Sequence, residues 1–113
     1  MKNIRHILGK GIALTLLLLA SINARSSNYY WVGGSGSWSD FSNHWATTSG
    51  GATFQAQVPT ANDDVFFDAN SFTATGQTIH GDNTVIFFHS MDWTGAMSNP
   101  QFTQSTSSST INV

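Results

Sequence analysis

Hydrophobic residues follow two different patterns along this chain. Residues 11–20, GIALTLLLLA, form one block that is apolar apart from Thr15, preceded by Lys2, Arg5 and Lys10 and followed by Ser21, Asn23 and Ala24. From residue 25 onward no window repeats apolar positions every 3.6 residues, and there is no Glu or Lys to clothe the outside of a helix. Thr, Phe, Trp, Val and Ile instead come in short runs between Gly, Asn and Ser turns, which predicts an all-β chain.

The predicted strands are NYYWV (28–32), broken by Gly33-Gly34, and DDVFFD (63–68), entered through Pro59 and Asn62. QTIHG (77–81) comes next and leads through a GDN turn into TVIFFHSMDW (84–93), read as one apolar strand. NPQFT (99–103) and TINV (110–113) complete the set. Strand centres recur at nearly constant spacing: Phe66 to Phe88 is 22 positions, Phe88 to Asn112 is 24, and Ile79 to Phe102 is 23. Two interleaved series at one spacing predict a solenoid in which each coil adds a strand to neighbouring parallel sheets. A small β-sandwich with a strand every 8–12 residues is the alternative. The chain reaches Val113 as a strand begins, so these residues are expected to be the first coils of something longer.

Charge and composition narrow the setting. A basic start, an apolar block too short to span a bilayer comfortably and small residues after it have the order of a secretory signal peptide over residues 1–24; an uncleaved anchor is the alternative. Cleavage after Ala24 would remove three of the four basic side chains, so the formal charge of −2 falls by three, to −5, with Arg25 facing six aspartates. Such a chain cannot neutralise a row of phosphates or dock a polybasic patch on lipid, which argues against nucleic acid and membrane-surface partners, and no transmembrane segment is expected after cleavage. There is no cysteine, which excludes disulfides, thiolate metal sites and a lipoprotein-type anchor and fits a bacterial surface protein better than a small disulfide-rich domain.

The string YYWVGGSGSWSDFSNHWATTSGG, followed by VPTANDDVFFDANSF and MDWTGA, resembles the N-terminal region of large surface or secreted proteins of Bacteroidetes-type bacteria. A looser form of the same opening occurs in β-helical adhesin and autotransporter passengers. The resemblance covers most of residues 29–100. It implies an N-terminal cap over 25–58 and coils of a right-handed parallel β-helix over 59–113. Many members carry a C-terminal sorting domain for type IX secretion, for which this chain has no room. The function implied is structural or adhesive at the cell surface or outside the cell, with polysaccharide or surface proteins as partners.

Trp31, Trp38 and Trp45 stand seven residues apart. Exposed, they would suit a small carbohydrate-binding module; folded over by Gly33, Gly34 and Gly36, they would close the end of the core. Seven is odd, so along one continuous strand the rings would alternate faces, and a shared face needs the glycine turns to reset the direction. This favours packing. Asp63, Asp64 and Asp68 are oxygen donors for calcium in principle, but they match neither the EF-hand order nor the glycine-rich calcium repeat, and hydrogen bonds to turn amides are the simpler expectation. His44, His80 and His89 lack zinc-ligand spacing, and His89 is expected to point inward with Met91 and Trp93.

No cofactor is implied. There is no G-x-S-x-G elbow, and Gly34 and Gly36 begin a nucleotide-loop pattern that Ser39 ends. Asp64, Asp68 and Asp92 would make a glycosidase pair only by accident of folding, and a polysaccharide lyase would need a base where only Arg25 is basic. The expectation is a non-catalytic protein, with a part in a polysaccharide-active enzyme as the remote alternative.

Overall fold

The computed structural model describes residues 25–82, 85–104 and 110–112. The expected signal peptide and the Ser/Thr run at 105–109 lie outside the described residues. The chain is mostly strand with a single turn of helix among the described residues: β1 (Asn28–Trp31), β2 (Gly36–Ser37), α1 (Phe41–His44), β3 (Trp45–Ala46), β4 (Asp64–Phe66), β5 (Thr78–Gly81), β6 (Val85–Phe87), β7 (Ser90–Asp92), β8 (Gln101–Gln104) and β9 (Thr110–Asn112).

Three sheets form, in the orders β3-β1-β4-β7, β2-β5-β8 and β6-β9. All their pairings are parallel except β1 with β3. Partners on the later strands lie 26 residues apart between Asp64 and Ser90, 23 between Ile79 and Phe102, and 25 between Ile86 and Ile111. One round of β4, β5 and β6 is therefore matched, strand for strand, by a round of β7, β8 and β9. Ile79 and Phe102, expected at one coil's separation, are register partners. The earlier offsets are longer, 36 from Asn28 to Asp64 and 43 from Gly36 to Ile79, because α1, β3 and the loop to Asp63 are inserted between β2 and β4. β1 and β2 belong to the same ladders as the later strands, so residues 25–58 are continuous in pairing with residues 59–104.

The Phe66–Phe88–Asn112 series needs correction. Phe66 pairs with Asp92, and Phe87 rather than Phe88 pairs with Asn112. The apolar run 84–93 is two strands in two sheets, because the backbone bends at His89. Phe88 fills the corner, 5% exposed, and the bend resets the alternation. His89, expected inside, turns its side chain out, 70% exposed.

The core is largely aromatic. Tyr29, Trp31, Trp38, Trp45, Val65, Phe67, Phe72, Ile79, Ile86 and Phe88 form one buried cluster, with Met91, Trp93 and Phe102 half-buried against it. Alternation along β4 explains the split: Val65 points in, while Asp64 and Phe66 on either side point out.

Candidate functional site

The three predicted tryptophans come together, but inside the protein. Trp31, Trp38 and Trp45 are 0%, 1% and 0% exposed, which leaves no ring face open to a sugar. Trp45 sits among the others, edge-on to Trp31 at 5.0 Å, to Trp38 at 4.8 Å and to Tyr29 at 5.9 Å, and Phe67 lies at 5.8 Å. The indole N–H of Trp31 donates to the Gly34 carbonyl at 2.7 Å and that of Trp45 to the Trp38 carbonyl at 3.0 Å, so both rings are buried without an orphaned donor.

The glycines between them act as foreseen, with one partner that the sequence did not disclose. Gly33 adopts φ +85°, a left-handed turn natural to glycine. Gly36 lies against the imidazole of His44, where a Cβ would collide with the ring. His44 is buried, stacks on Trp31 at 4.6 Å with planes 6° apart, and holds the Val32 carbonyl through Nδ1 at 2.6 Å. It is a packing residue beside Trp31.

The aspartates separate into distinct roles. Asp63 is buried and its carboxylate accepts from the Ser27 amide at 2.8 Å, the Thr60 amide at 2.7 Å and the Thr60 hydroxyl at 2.8 Å. It thus fastens the start of β1 to the turn before β4. Burial chiefly, and the Asp63 charge beside it, hold the Tyr29 phenol above its ordinary pKa. Asp68 accepts from the Ser49 hydroxyl at 2.6 Å and the Asn70 amide at 2.9 Å, tying the 47–53 loop to the turn after β4. These two make the turn contacts expected of them. Asp64 does not: it faces outward and accepts from the His89 ring at 2.8 Å and from the Ser90 hydroxyl on the adjacent β7. Those hydrogen bonds, Ser90 first and His89 next, hold its carboxyl below the usual range. Asp92, with its hydrogen bonds from the Thr94 side chain and amide, is likewise lowered.

Among the described residues no group of three or more His, Asp, Glu or Cys side chains is placed to hold a metal ion. Asp63, Asp64 and Asp68 each serve protein donors in a different place. No described helix is long and apolar enough to cross a membrane.

A feature not anticipated from the sequence lies on the outer face of the first sheet. Register places Asn28, Asp64 and Ser90 in one row and Tyr30, Phe66 and Asp92 in the next. Tyr30 and Phe66 stack across β1 and β4, centroids 5.0 Å apart and planes 18° apart. Beside the first row is an open groove of roughly 350 Å³ lined by Ser26, Asn62, Asp64 and His89. A usable signal was present: with Tyr29 and Trp31 inside, alternation obliges Tyr30 to face out. Comparison of the chain with protein families, with curated proteins and with solved structures finds no match.

Proposed function

We propose that this is an exported structural or adhesin-like protein of a Gram-negative cell surface, built as an N-terminal cap and the first coils of a right-handed parallel β-helix. The observation that carries the reading is the pair of matched rounds, β4-β5-β6 and β7-β8-β9, joined by three parallel ladders at offsets of 26, 23 and 25 residues. An antiparallel sandwich has no place for such pairing, and parallel crossovers within one sheet are right-handed almost without exception. The segment around the tryptophans supports the cap: β3 pairs antiparallel along the edge of β1, and Trp31 and Trp45 on these two strands are buried. At the other end β7 and β8 each have a single neighbour among the described residues, the arrangement a further coil would use.

The basic start and apolar block at residues 1–20 support export, and the resemblance to surface proteins of Bacteroidetes-type bacteria supports display or release outside the cell. No catalytic role is assigned to these residues. The long polar outside, rich in Ser, Thr and Asn, would meet polysaccharide or other surface proteins. Expression of a C-terminally tagged chain in a Gram-negative host tests the export step. A mature product beginning near Arg25 and found outside the cytoplasm is expected; an unprocessed chain confined to the cytoplasm would overturn the reading.

A further inference from the structure

We propose that the outer face of the β3-β1-β4-β7 sheet, from the Phe66 ring to the groove at Asp64 and His89, binds neutral, hydroxyl-rich glycans. Three observations converge there. The first is an aromatic surface. Tyr30 and Phe66 stack on one another, and the next position in their row is Asp92, so no third ring covers Phe66 on its β7 side. The C–H face of a pyranose packs on such a ring as another aromatic would.

The second is a mixed set of polar groups two residues away on the same face of β4. Asp64 is held in place by His89 and by Ser90. Because a carboxylate can only accept, Nδ1 of His89 donates to Asp64, and Nε2 remains for a further partner. Ser26 and Asn62 complete the groove with groups that both donate and accept. A sugar hydroxyl does both, so a row of hydroxyls finds partners here that a simple cation or anion would use only in part.

The third is charge. Asp64 and Asp92 face out from neighbouring strands, so uronate or sulfate groups would meet like charge. The groove's roughly 350 Å³ is within the range of small-molecule sites and accommodates a sugar unit rather than a folded partner. The buried tryptophans play no part in contact. Their role is to hold β1 against β3, and with it Tyr30 beside Phe66.

For its biological setting the inference rests on the adhesive role proposed above, but binding by the purified chain does not depend on where the cell sends it. Failure of export and failure of binding are therefore distinguishable. The test is affinity electrophoresis of the purified chain in gels containing laminarin or mannan as neutral probes, polygalacturonate as an anionic one, or polylysine as a basic-protein mimic. Retardation by at least one neutral glycan is expected, weakened about tenfold or more by Phe66→Ala and by Asp64→Asn, with near-ultraviolet circular dichroism unchanged. Phe87→Ala, which removes an exposed ring on β6 in another sheet, should bind as the parent does. Asp64→Asn alters only an outward side chain and keeps the test valid should Phe66→Ala fold poorly. No retardation by either neutral glycan, equal retardation of parent and variants, or preference for polygalacturonate would overturn the proposal. Polylysine binding weakened by both variants, without glycan binding, would reassign the face to a basic protein partner.

Discussion

The two ends of the strand stack are finished in opposite ways. At the β1 end the chain doubles back through α1 and β3, pairs antiparallel with β1 and buries three indoles at 0–1% exposure, of which Trp38 reaches as far as Phe102 on β8. At the β7–β8 end the strands run parallel to the layer beneath, and Met91, Trp93 and Phe102 remain half-buried. Val65 on β4 and Ile79 on β5, strands with a neighbour on each side, are fully buried and show what coverage from both sides achieves. The difference teaches that closing a stack of parallel strands requires a change of strand direction and large side chains. Apolar pattern alone does not achieve it.

If the two ends differ in this way, the same kind of substitution should cost far more at the closed end. Trp45→Ala removes the ring that touches Tyr29, Trp31, Trp38 and Phe67, and should destabilise the chain by about 3–5 kcal/mol in chemical denaturation, enough to unfold a marginal domain. Phe102→Ala at the open end should cost about 1–2 kcal/mol, since its burial is partial. Equal losses would erase the distinction.

The neighbouring aspartates sharpen it. Asp63→Ala strands the Ser27 and Thr60 amides and should cost about 2–3 kcal/mol, whereas Asp64→Ala, facing solvent, should stay within about 1 kcal/mol. Gly36→Ala drives a methyl into the stacked His44 ring and should cost about 1–3 kcal/mol. Gly76→Ala, at positive φ but with nothing near its Cβ, should lose only the backbone term of about 1 kcal/mol, so comparing their melting temperatures separates the packing contribution from the backbone one.

The smallest expected effect is with pH. Asp64 and Asp92 have folded-state pKa values below their ordinary ones, so their stabilisation is present above the unfolded carboxylate pKa of about 3.9 and is lost as pH falls through the folded values. The Asp64→Ala variant should show a slightly shallower acid decline than the parent in a denaturation series. A steeper decline would mean that Asp64 is strained rather than stabilised.

Much of the ladder system was legible in the sequence. Val65, Phe67 and Ile79 lie in short alternating runs bounded by turn residues, and the spacing of Ile79 and Phe102 is set by strand register. Gly33, Gly34 and Gly36 between Trp31 and Trp38 likewise announced a folded segment. The two-residue strands β2 and β3 have too little length for any alternation, and α1 is one turn whose helical form depends on the packing of His44 beneath it. The bend at His89 was hidden because Phe88 and Met91 are both apolar, and only the packing of a corner decides where the chain turns. Of the outer site, Asp64 was visible as a carboxylate but not as the outward member of the Asp63–Asp64 pair. The pairing of Tyr30 with Phe66, 36 residues apart, arises from register alone.

The most direct test of the closed end is tryptophan accessibility. In the chain carrying Trp93→Phe, the three remaining indoles are those of Trp31, Trp38 and Trp45. Their fluorescence should be blue-shifted, resist quenching by acrylamide in the folded state, and become quenchable only as the chain unfolds. Red-shifted emission with ready quenching in the folded chain would contradict the closed aromatic end and return those rings to the surface.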